Sequence, residues 1–389
     1  MSDDVVYLDY AASTPVDHRV AELMSSYLTA AGECANPSAI HIAGRRASDI
    51  VSKATQQLSG LLNCEPCELV WTSGATESNN LAIAGAARHR APRGKHLITM
   101  PTEHKAVTDV FCALEKQGFE VTWLQPDKSG RLPIADFEAA LREDTQLASI
   151  MYVNNETGVI QNIEEIGALC RERDVLFHVD AAQAIGKLPF DLGTLPVDLV
   201  SMTAHKIYGP QGIGALYIAA RPGCHVEPLF FGGGQQGRTR PGTLPVHLIA
   251  AFGQAADIAA DSMDADLAHL QMLNNRLWAG VSGVAGVTRN GAADNTFPGI
   301  VNISIEDVEG ESLLLALEPI CVATGSACNS HRQEPSYVLR ALGLNDALAQ
   351  SAIRFSFGRL STAADIDFAA QRYTDAVAKL RQLAPGRAA

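Results

Sequence analysis

The sequence predicts an α/β protein built on a mainly parallel sheet, with a second, smaller α+β domain. Two patterns point there. Short apolar runs alternate with helical stretches of roughly 10–15 residues, the signature of parallel strands covered by helices on both faces. Beyond about residue 262 that alternation gives way to a long helical stripe followed by strand, helix and strand. The length of 389 residues agrees, since about 150 residues per domain predicts two to three domains.

Taken in order, Val20, Leu23, Met24, Tyr27 and Leu28 recur at helical spacing, and Ile50, Ala54, Leu58, Leu61 and Leu62 repeat that stripe. Strands are expected at Leu69–Thr72, His96–Met100, Phe119–Leu124, Gln146–Val153, Val175–Val179, Asp198–Met202 and Gly212–Ile218. Helices are expected at Asn79–Arg88, Lys105–Gln117 and Ile163–Arg173. Gly232–Gly242 is a Gly/Arg-rich loop without periodicity. Leu267, Leu270, Leu273 and Leu277 mark the long helix of the second domain, and Leu383–Ala389 reads as a frayed tail.

Composition narrows the function. Apolar residues make up 47% of the chain and charged residues only 19%, which predicts a packed core rather than disorder. The net charge of −13, with no long basic run, argues against direct nucleic-acid binding or an anionic membrane partner. The acidic Met1–Asp4 start lacks the pattern of a signal peptide, so the reducing cytoplasm is expected. Cys64 and Cys67 form a C-x-x-C without a second cysteine pair or nearby histidines to complete a metal site, and read as incidental loop thiols.

In parallel α/β sheets, ligands bind beyond the carboxyl ends of the strands. Three polar clusters fall there. Ser73–Ser78 follows one strand and opens a helix, as a phosphate site or an ordinary N-cap. Asp180 ends another strand, as a cofactor or metal contact or as a cap for the next turn. Lys206 follows a third, as a desolvated Schiff-base amine or a solvated loop lysine. Phosphate-type helix start, strand-end Asp and strand-end Lys occur in the order that pyridoxal phosphate requires.

At these residues the chain resembles the cysteine desulfurases of the NifS/IscS type, within the class V aminotransferase group of fold-type I pyridoxal-phosphate enzymes. The matching segments are Tyr7–Ala12, Ser73–Asn80, Thr102–Val107, Val153–Gly158, His178–Gln183, His205–Pro210, Gly242–Pro245, Gly325–Cys328 and Arg354–Ser356. The resemblance implies a large cofactor domain (17–262) with a seven-stranded, mainly parallel sheet. It also implies a small domain (1–16 and 263–389) carrying the nucleophile loop, and a homodimer.

Carried over residue by residue, Lys206 is the Schiff-base lysine and Asp180 the partner of the pyridinium nitrogen. His104 stacks on the ring, and Gln183 and Asn155 lie at its oxygen. Ala75, Thr76, Thr203, Ala204 and His205 surround the phosphate, joined by Thr243 of the partner subunit. Arg354 receives the substrate carboxylate, as suits a bidentate guanidinium, while Asn36 and Asn155 line that pocket. Cys328 is the nucleophile, set in the small polar loop of Gly325, Ser326, Asn329 and Ser330; Cys34, Cys112, Cys170, Cys224 and Cys321 read as structural.

The implied reaction converts L-cysteine to L-alanine, leaving sulfur as a Cys328 persulfide for an acceptor protein, either an iron–sulfur scaffold or a thiolation enzyme. Selenocysteine lyase, another class V reaction and a silent sulfur-relay subunit are the rival readings. The chain departs from the family pattern at Thr203 and Ala204, in Gln235–Arg240, in Asn329–Gln333 and in its short C-terminus. The last two lead to the expectation of a partner other than the housekeeping scaffold.

Overall fold

The computed structural model describes residues 5–30, 32–324 and 334–383. The first part of the chain forms β1 (Val6–Tyr7), α1 (His18–Ser26), α2 (Ile42–Leu62), β2 (Leu69–Thr72), α3 (Ala75–Arg90), β3 (His96–Thr99), α4 (Lys105–Glu115) and β4 (Glu120–Trp123). Next come α5 (Ile134–Ala140), β5 (Thr145–Ser149), α6 (Ile163–Glu172), β6 (Leu176–Asp180), β7 (Leu199–Thr203) and β8 (Gly214–Ile218). After α7 (Val246–Val281) follow β9 (Val287–Arg289), β10 (Ile300–Ile305), α8 (Gly310–Ala316), β11 (Ile320–Cys321) and β12 (Ala323–Thr324). The chain closes with α9 (Tyr337–Ala341), α10 (Asp346–Gln350), β13 (Ile353–Ser356) and α11 (Ala363–Leu383).

Seven strands form the main sheet in the order β2-β8-β7-β6-β5-β3-β4. Only β8 runs against the others, pairing antiparallel with β2 and β7. Period-two alternation sends Trp71, Ile98, Ala148, Phe177 and Val200 to one face, into a core shared with α2 and α7. Val70, Leu97, Leu147, Leu176 and Leu199 point to the other face, against α3 and α4. Burial on both faces explains the near-continuous apolar strands. The expected strand Gln146–Val153 ends early, at Ser149. Beyond it the run stays buried because Ile150 and Tyr152 still donate backbone hydrogen bonds to the carbonyls of His178 and Asp180, at 3.1 and 3.0 Å.

A second sheet, β12-β13-β10-β9, is antiparallel throughout, and β1 pairs with β11 beside it. Its strand residues Ile300, Val301, Ile303, Ile353 and Phe355 join the larger of the two main cores.

The long helix differs from expectation. It begins at Val246, so the expected boundary at 262/263 falls inside it. Its first half is buried on many sides, through Ile249, Phe252, Ala255, Ala256 and Ile258. Only its second half shows the one-sided stripe of Leu270, Leu273 and Leu277.

Helix α1 stops at Ser26, so Tyr27 is its C-cap and Leu28 is exposed. Cys34 and Cys112 are exposed rather than structural; Cys112 points away from the Val107, Val110, Phe111 and Leu114 stripe of α4. Cys170 is buried, while Cys224 and Cys321 are half-buried. Cys64 and Cys67 are free, and burial with the Glu68 and Glu65 carboxylates pushes the Cys64 thiol up to about 12. Residues 384–389 of the expected tail lie outside the described residues. Among the described residues no helix is long and apolar enough to cross a membrane.

Gly253 sets the approach of α7 to α2, because a Cβ there would lie 2.6 Å from the Ala54 Cα. Gly253→Leu is therefore expected to cost at least about 1–3 kcal/mol through overpacking. Gly60, exposed in α2 with open space around it, is the control, and Gly60→Ala should gain about 0.5–1 kcal/mol. Denaturant midpoints of the two variants should move in opposite directions; a shift in the same direction would contradict this packing.

Candidate active site

The expected residues gather where the parallel strands end. Asp180 is the last residue of β6 and is buried. Its Oδ2 accepts Asn79 Nδ2 at 2.7 Å and its Oδ1 accepts the Ala182 amide at 3.0 Å. Asn79 projects from α3, the helix opened by Ser73-Gly74. Gly74 has φ +153, which disfavours a side chain there, and the first amides of α3 are the donors that a helix start leaves over. Ala75 is half-buried and Thr76 exposed at that start.

Thr203, Ala204, His205 and Lys206 follow from β7. Thr203 Oγ1 donates to the Ile213 carbonyl at 3.2 Å, and Ala204 is fully buried. Lys206 Nζ donates to the carbonyls of Ala11 and Ala12, at 2.5 and 2.7 Å. Gln183 Nε2 donates to the same Ala11 carbonyl at 2.8 Å, and its Oε1 accepts Lys187 Nζ at 2.9 Å. Burial, then the Lys206 and Arg354 charges, push the Lys187 ammonium down to about 7.

His104 follows β3 and caps α4, its Nδ1 accepting the Ala106 amide at 3.1 Å. That bond leaves Nε2 as the protonated nitrogen of the neutral ring. Burial lowers its pKa, with the Lys206 charge acting the same way against the opposing pull of Asp180. The neighbouring Glu103 is raised well above the carboxylate range by burial, and its Oε1 accepts the Met151 amide at 2.8 Å.

Arg354, on β13, brings the second sheet to the pocket. Its guanidinium donates to Asp9 Oδ1 at 2.7 Å and to the Asn155 carbonyl at 2.9 Å. Among the described residues, the buried Asn155 Oδ1 has no partner. Next to it, burial raises Glu156 to about 7, and its Oε2 accepts Ser336 Oγ at 2.5 Å.

Two expected residues stand apart from this cluster in the single chain. Asn36 is exposed, and its Oδ1 accepts the amide of Ser38 in its own turn at 2.9 Å. Thr243 is also exposed. Its loop is fixed by the Gln236 amide against the backbone of Trp71 (2.5 and 2.9 Å) and by Arg240 against Glu77 (2.8 and 3.2 Å). Gln236 and Arg240 thus give the departing Gln235–Arg240 run a definite attachment. Cys328 lies outside the described residues. Asp9, Asn79, Glu156 and Lys187 are site residues that sequence reasoning missed, although Asp9, Asn79 and Glu156 lie within the matched motifs.

A carboxylate and an amine at the ends of neighbouring strands, beside a helix start, define a fold-type I cofactor-dependent enzyme. The aminotransferase class-V family matches residues 6–368. The chain is 53% identical over 381 residues to a cysteine desulfurase IscS of Vibrio vulnificus strain YJ016, covering 98% of this chain and 94% of the relative. Among solved structures, a NifS-like protein superposes with TM-score 0.90 at 33% identity, covering 97% of this chain and all (100%) of that one. SspA in complex with cysteine superposes with TM-score 0.81 at 36% identity, covering 92% of this chain and 100% of that chain. The chain belongs to the aminotransferase class-V family, whose members in general depend on pyridoxal phosphate.

Beneath the pocket, His178 bridges β5 and β7, with Nδ1 2.7 Å from Ser149 Oγ and Nε2 2.9 Å from Ser201 Oγ. Burial pushes it down to about 3, and it pushes His205 down to about 4. Unfolding returns both imidazoles to about 6.5. Stability from this source is therefore fully present above about pH 6.5 and is lost as the pH falls toward those folded values, because the unfolded chain takes up protons that the folded one refuses. The thermal midpoint should fall between about pH 7 and pH 4, and more gently in His178→Asn. Equal slopes in the two proteins would exclude His178 as a source of the acid sensitivity.

Proposed function

We propose that the protein is a pyridoxal-phosphate-dependent L-cysteine desulfurase. L-Cysteine gives up its sulfur to the Cys328 thiol, forming L-alanine and a Cys328 persulfide. The Cβ–S bond breaks, a sulfur–sulfur bond forms, and no external oxidant or reductant is consumed. The single observation that carries this reading is the placement of Lys206 and Asp180 at the ends of adjacent strands, across the pocket from Arg354. The relatives and the cysteine-bound neighbour support the choice of substrate.

The residues fit the cofactor. Asp180 has the charge to hold a proton on a pyridine nitrogen, and Asn79 and the Ala182 amide keep its two oxygens oriented. The amides at the start of α3, with Ala75, Thr76, Thr203, Ala204 and His205, suit a phosphate. The unpartnered, buried Asn155 Oδ1 is a polar group of the kind that a ligand satisfies. Pyridoxal phosphate, when bound, supplies an aldehyde for amines and an electron sink for the Cα–H bonding pair.

The chain's own groups do the rest. Lys206 holds the cofactor and, once released, takes the Cα proton. Arg354 binds the substrate carboxylate while Asp9 and the Asn155 carbonyl hold its guanidinium in place. Neutral His104 would lie beside the ring of the bound cofactor, with its proton at Nε2 because Nδ1 accepts the Ala106 amide. Cys328 attacks as thiolate, the reactive form, and a reducing cytoplasm keeps that thiol free.

The reading includes a homodimer in which Thr243 of the partner subunit completes the phosphate site, and Asn36 at the substrate pocket. Its sulfur passes to an acceptor protein, an iron–sulfur scaffold or a thiolation enzyme. It also divides the chain into a cofactor lobe (17–262) holding the seven-stranded sheet and a smaller lobe (1–16 and 263–389) holding the four- and two-stranded sheets, with α7 running across the boundary.

Three substitutions test it. Lys206→Ala should abolish alanine formation, and normal turnover would sink the mechanism. Asp180→Ala should retain some cofactor yet lower kcat by orders of magnitude, because an unprotonated ring is a poor electron sink; an unchanged kcat would remove Asp180 from the role. Cys328→Ser should still bind cofactor and cysteine but carry no radiolabelled persulfide after incubation with labelled cysteine. Label on another thiol would reassign the nucleophile.

A further inference from the structure

The cofactor reading gives the half-buried Lys187 no task. Lys187 lies four residues beyond Gln183 and lines the same cavity as Gln183, Ala11 and Phe297. Its Nζ donates to Gln183 Oε1 at 2.9 Å and sits 5.5 Å from the centre of the Phe297 ring. The other end of that amide donates to the Ala11 carbonyl at 2.8 Å, and the same carbonyl accepts Lys206. A continuous chain of contacts thus runs from Lys187 through Gln183 and Ala11 to the reactive amine.

A primary amide has an acceptor end and a donor end of nearly equal size, so its neighbours decide which way it faces. Lys187 has N–H to donate in either protonation state, while the Ala11 carbonyl can only accept. Both ends of Gln183 are therefore specified. Turned over, the amide would set its oxygen against a carbonyl oxygen and its NH2 group against another donor. Without Lys187, the Ala11 carbonyl alone would hold the orientation, and Oε1 would be left without this partner.

We propose that Lys187 is a positioning residue that holds the Gln183 amide with its donor end toward the ring oxygen of the cofactor. This rests on the cofactor reading above. Lys187 acts through Gln183 and touches neither substrate nor reacting atoms, so its effect depends on an intact Gln183.

The test uses holoenzyme of the wild type, Lys187→Met, Lys187→Arg, Gln183→Ala and the Lys187→Met/Gln183→Ala pair. Two readouts are followed: the rate of pyridoxal phosphate loss on dialysis, and the pH midpoint of the visible absorption of the bound cofactor. Lys187→Met should speed cofactor loss about tenfold, the scale of one hydrogen bond near a charged group. It should also move the midpoint in the same direction as Gln183→Ala. Lys187→Arg, which can still donate, should restore both readouts at least in part. The double variant should match Gln183→Ala alone.

Two results would overturn the inference: wild-type values in Lys187→Met, or a Lys187→Met effect that persists in full in the Gln183→Ala background. If Lys187→Met does not fold, Lys187→Leu, which likewise has no donor, takes its place with the same expectations. A wild-type protein with no visible absorption after reconstitution would overturn the cofactor reading itself and this inference with it.

Discussion

Residues 9–14 hold the two halves of the site together. On one side this short strap is stitched to β13: Tyr10 donates to the Ser356 carbonyl at 3.2 Å and the Ala11 amide to Ser356 Oγ at 2.9 Å. On the other it is stitched to the turn after β7: the Thr14 amide and hydroxyl both reach the His205 carbonyl (2.9 and 3.0 Å), and Thr14 Oγ1 accepts the Tyr208 amide at 2.8 Å. Arg354 stands on the first side and Lys206 on the second. Their separation is thus set by a few backbone and hydroxyl hydrogen bonds of the strap rather than through a flexible interface. The strap also supplies polar atoms itself, since its Asp9 carboxylate orients Arg354 and its Ala11 and Ala12 carbonyls receive Lys206.

Such a site concentrates ionisable groups, and burial pushes several of them toward their neutral forms. Arg354 and Asp9 share a close ion pair. Asp180 has an amide donor on each oxygen, one from the Asn79 side chain and one from the backbone of Ala182. Glu103, His104 and His178 are pushed by burial toward their neutral forms. The ring of His104 therefore offers the pocket a neutral donor rather than a second cation beside Lys206.

The sequence showed the architecture wherever one element carried its own pattern. The strand ends at Thr72, Asp180 and Thr203 were legible because apolar runs stop there and polar residues follow. Helix α7 was half legible: its amphipathic second half announces itself, while its first half, buried on many sides, has no one-sided stripe to read. Cys112 was misread because a cysteine gives no hint of which helix face it occupies. The missed residues share a different cause. Asp9 meets Arg354 across 345 residues and Asn79 meets Asp180 across 101. No local spacing encodes such pairs; only the closed fold brings them together. Asn36 and Thr243 are the opposite case, assigned through family resemblance and lying outside the cluster in one chain.

The same logic bears on the segment that holds Cys328. Strand β12 pairs with β13 so that Ala323 faces Arg354 and Thr324 faces Ile353. Thr324, the last described residue before the segment that holds Cys328, is thus paired one position from Arg354. On the far side, Ser336 is bonded to Glu156, and Tyr337 donates to the Glu103 carbonyl at 2.9 Å. Glu156 follows Asn155, whose carbonyl accepts Arg354, and Glu103 precedes His104. Both ends of the segment are thus tied to residues that adjoin the expected site, one end next to Arg354 and the other next to Asn155 and His104. In the sequence Cys328 lies between these two ends, as its proposed role as sulfur carrier requires.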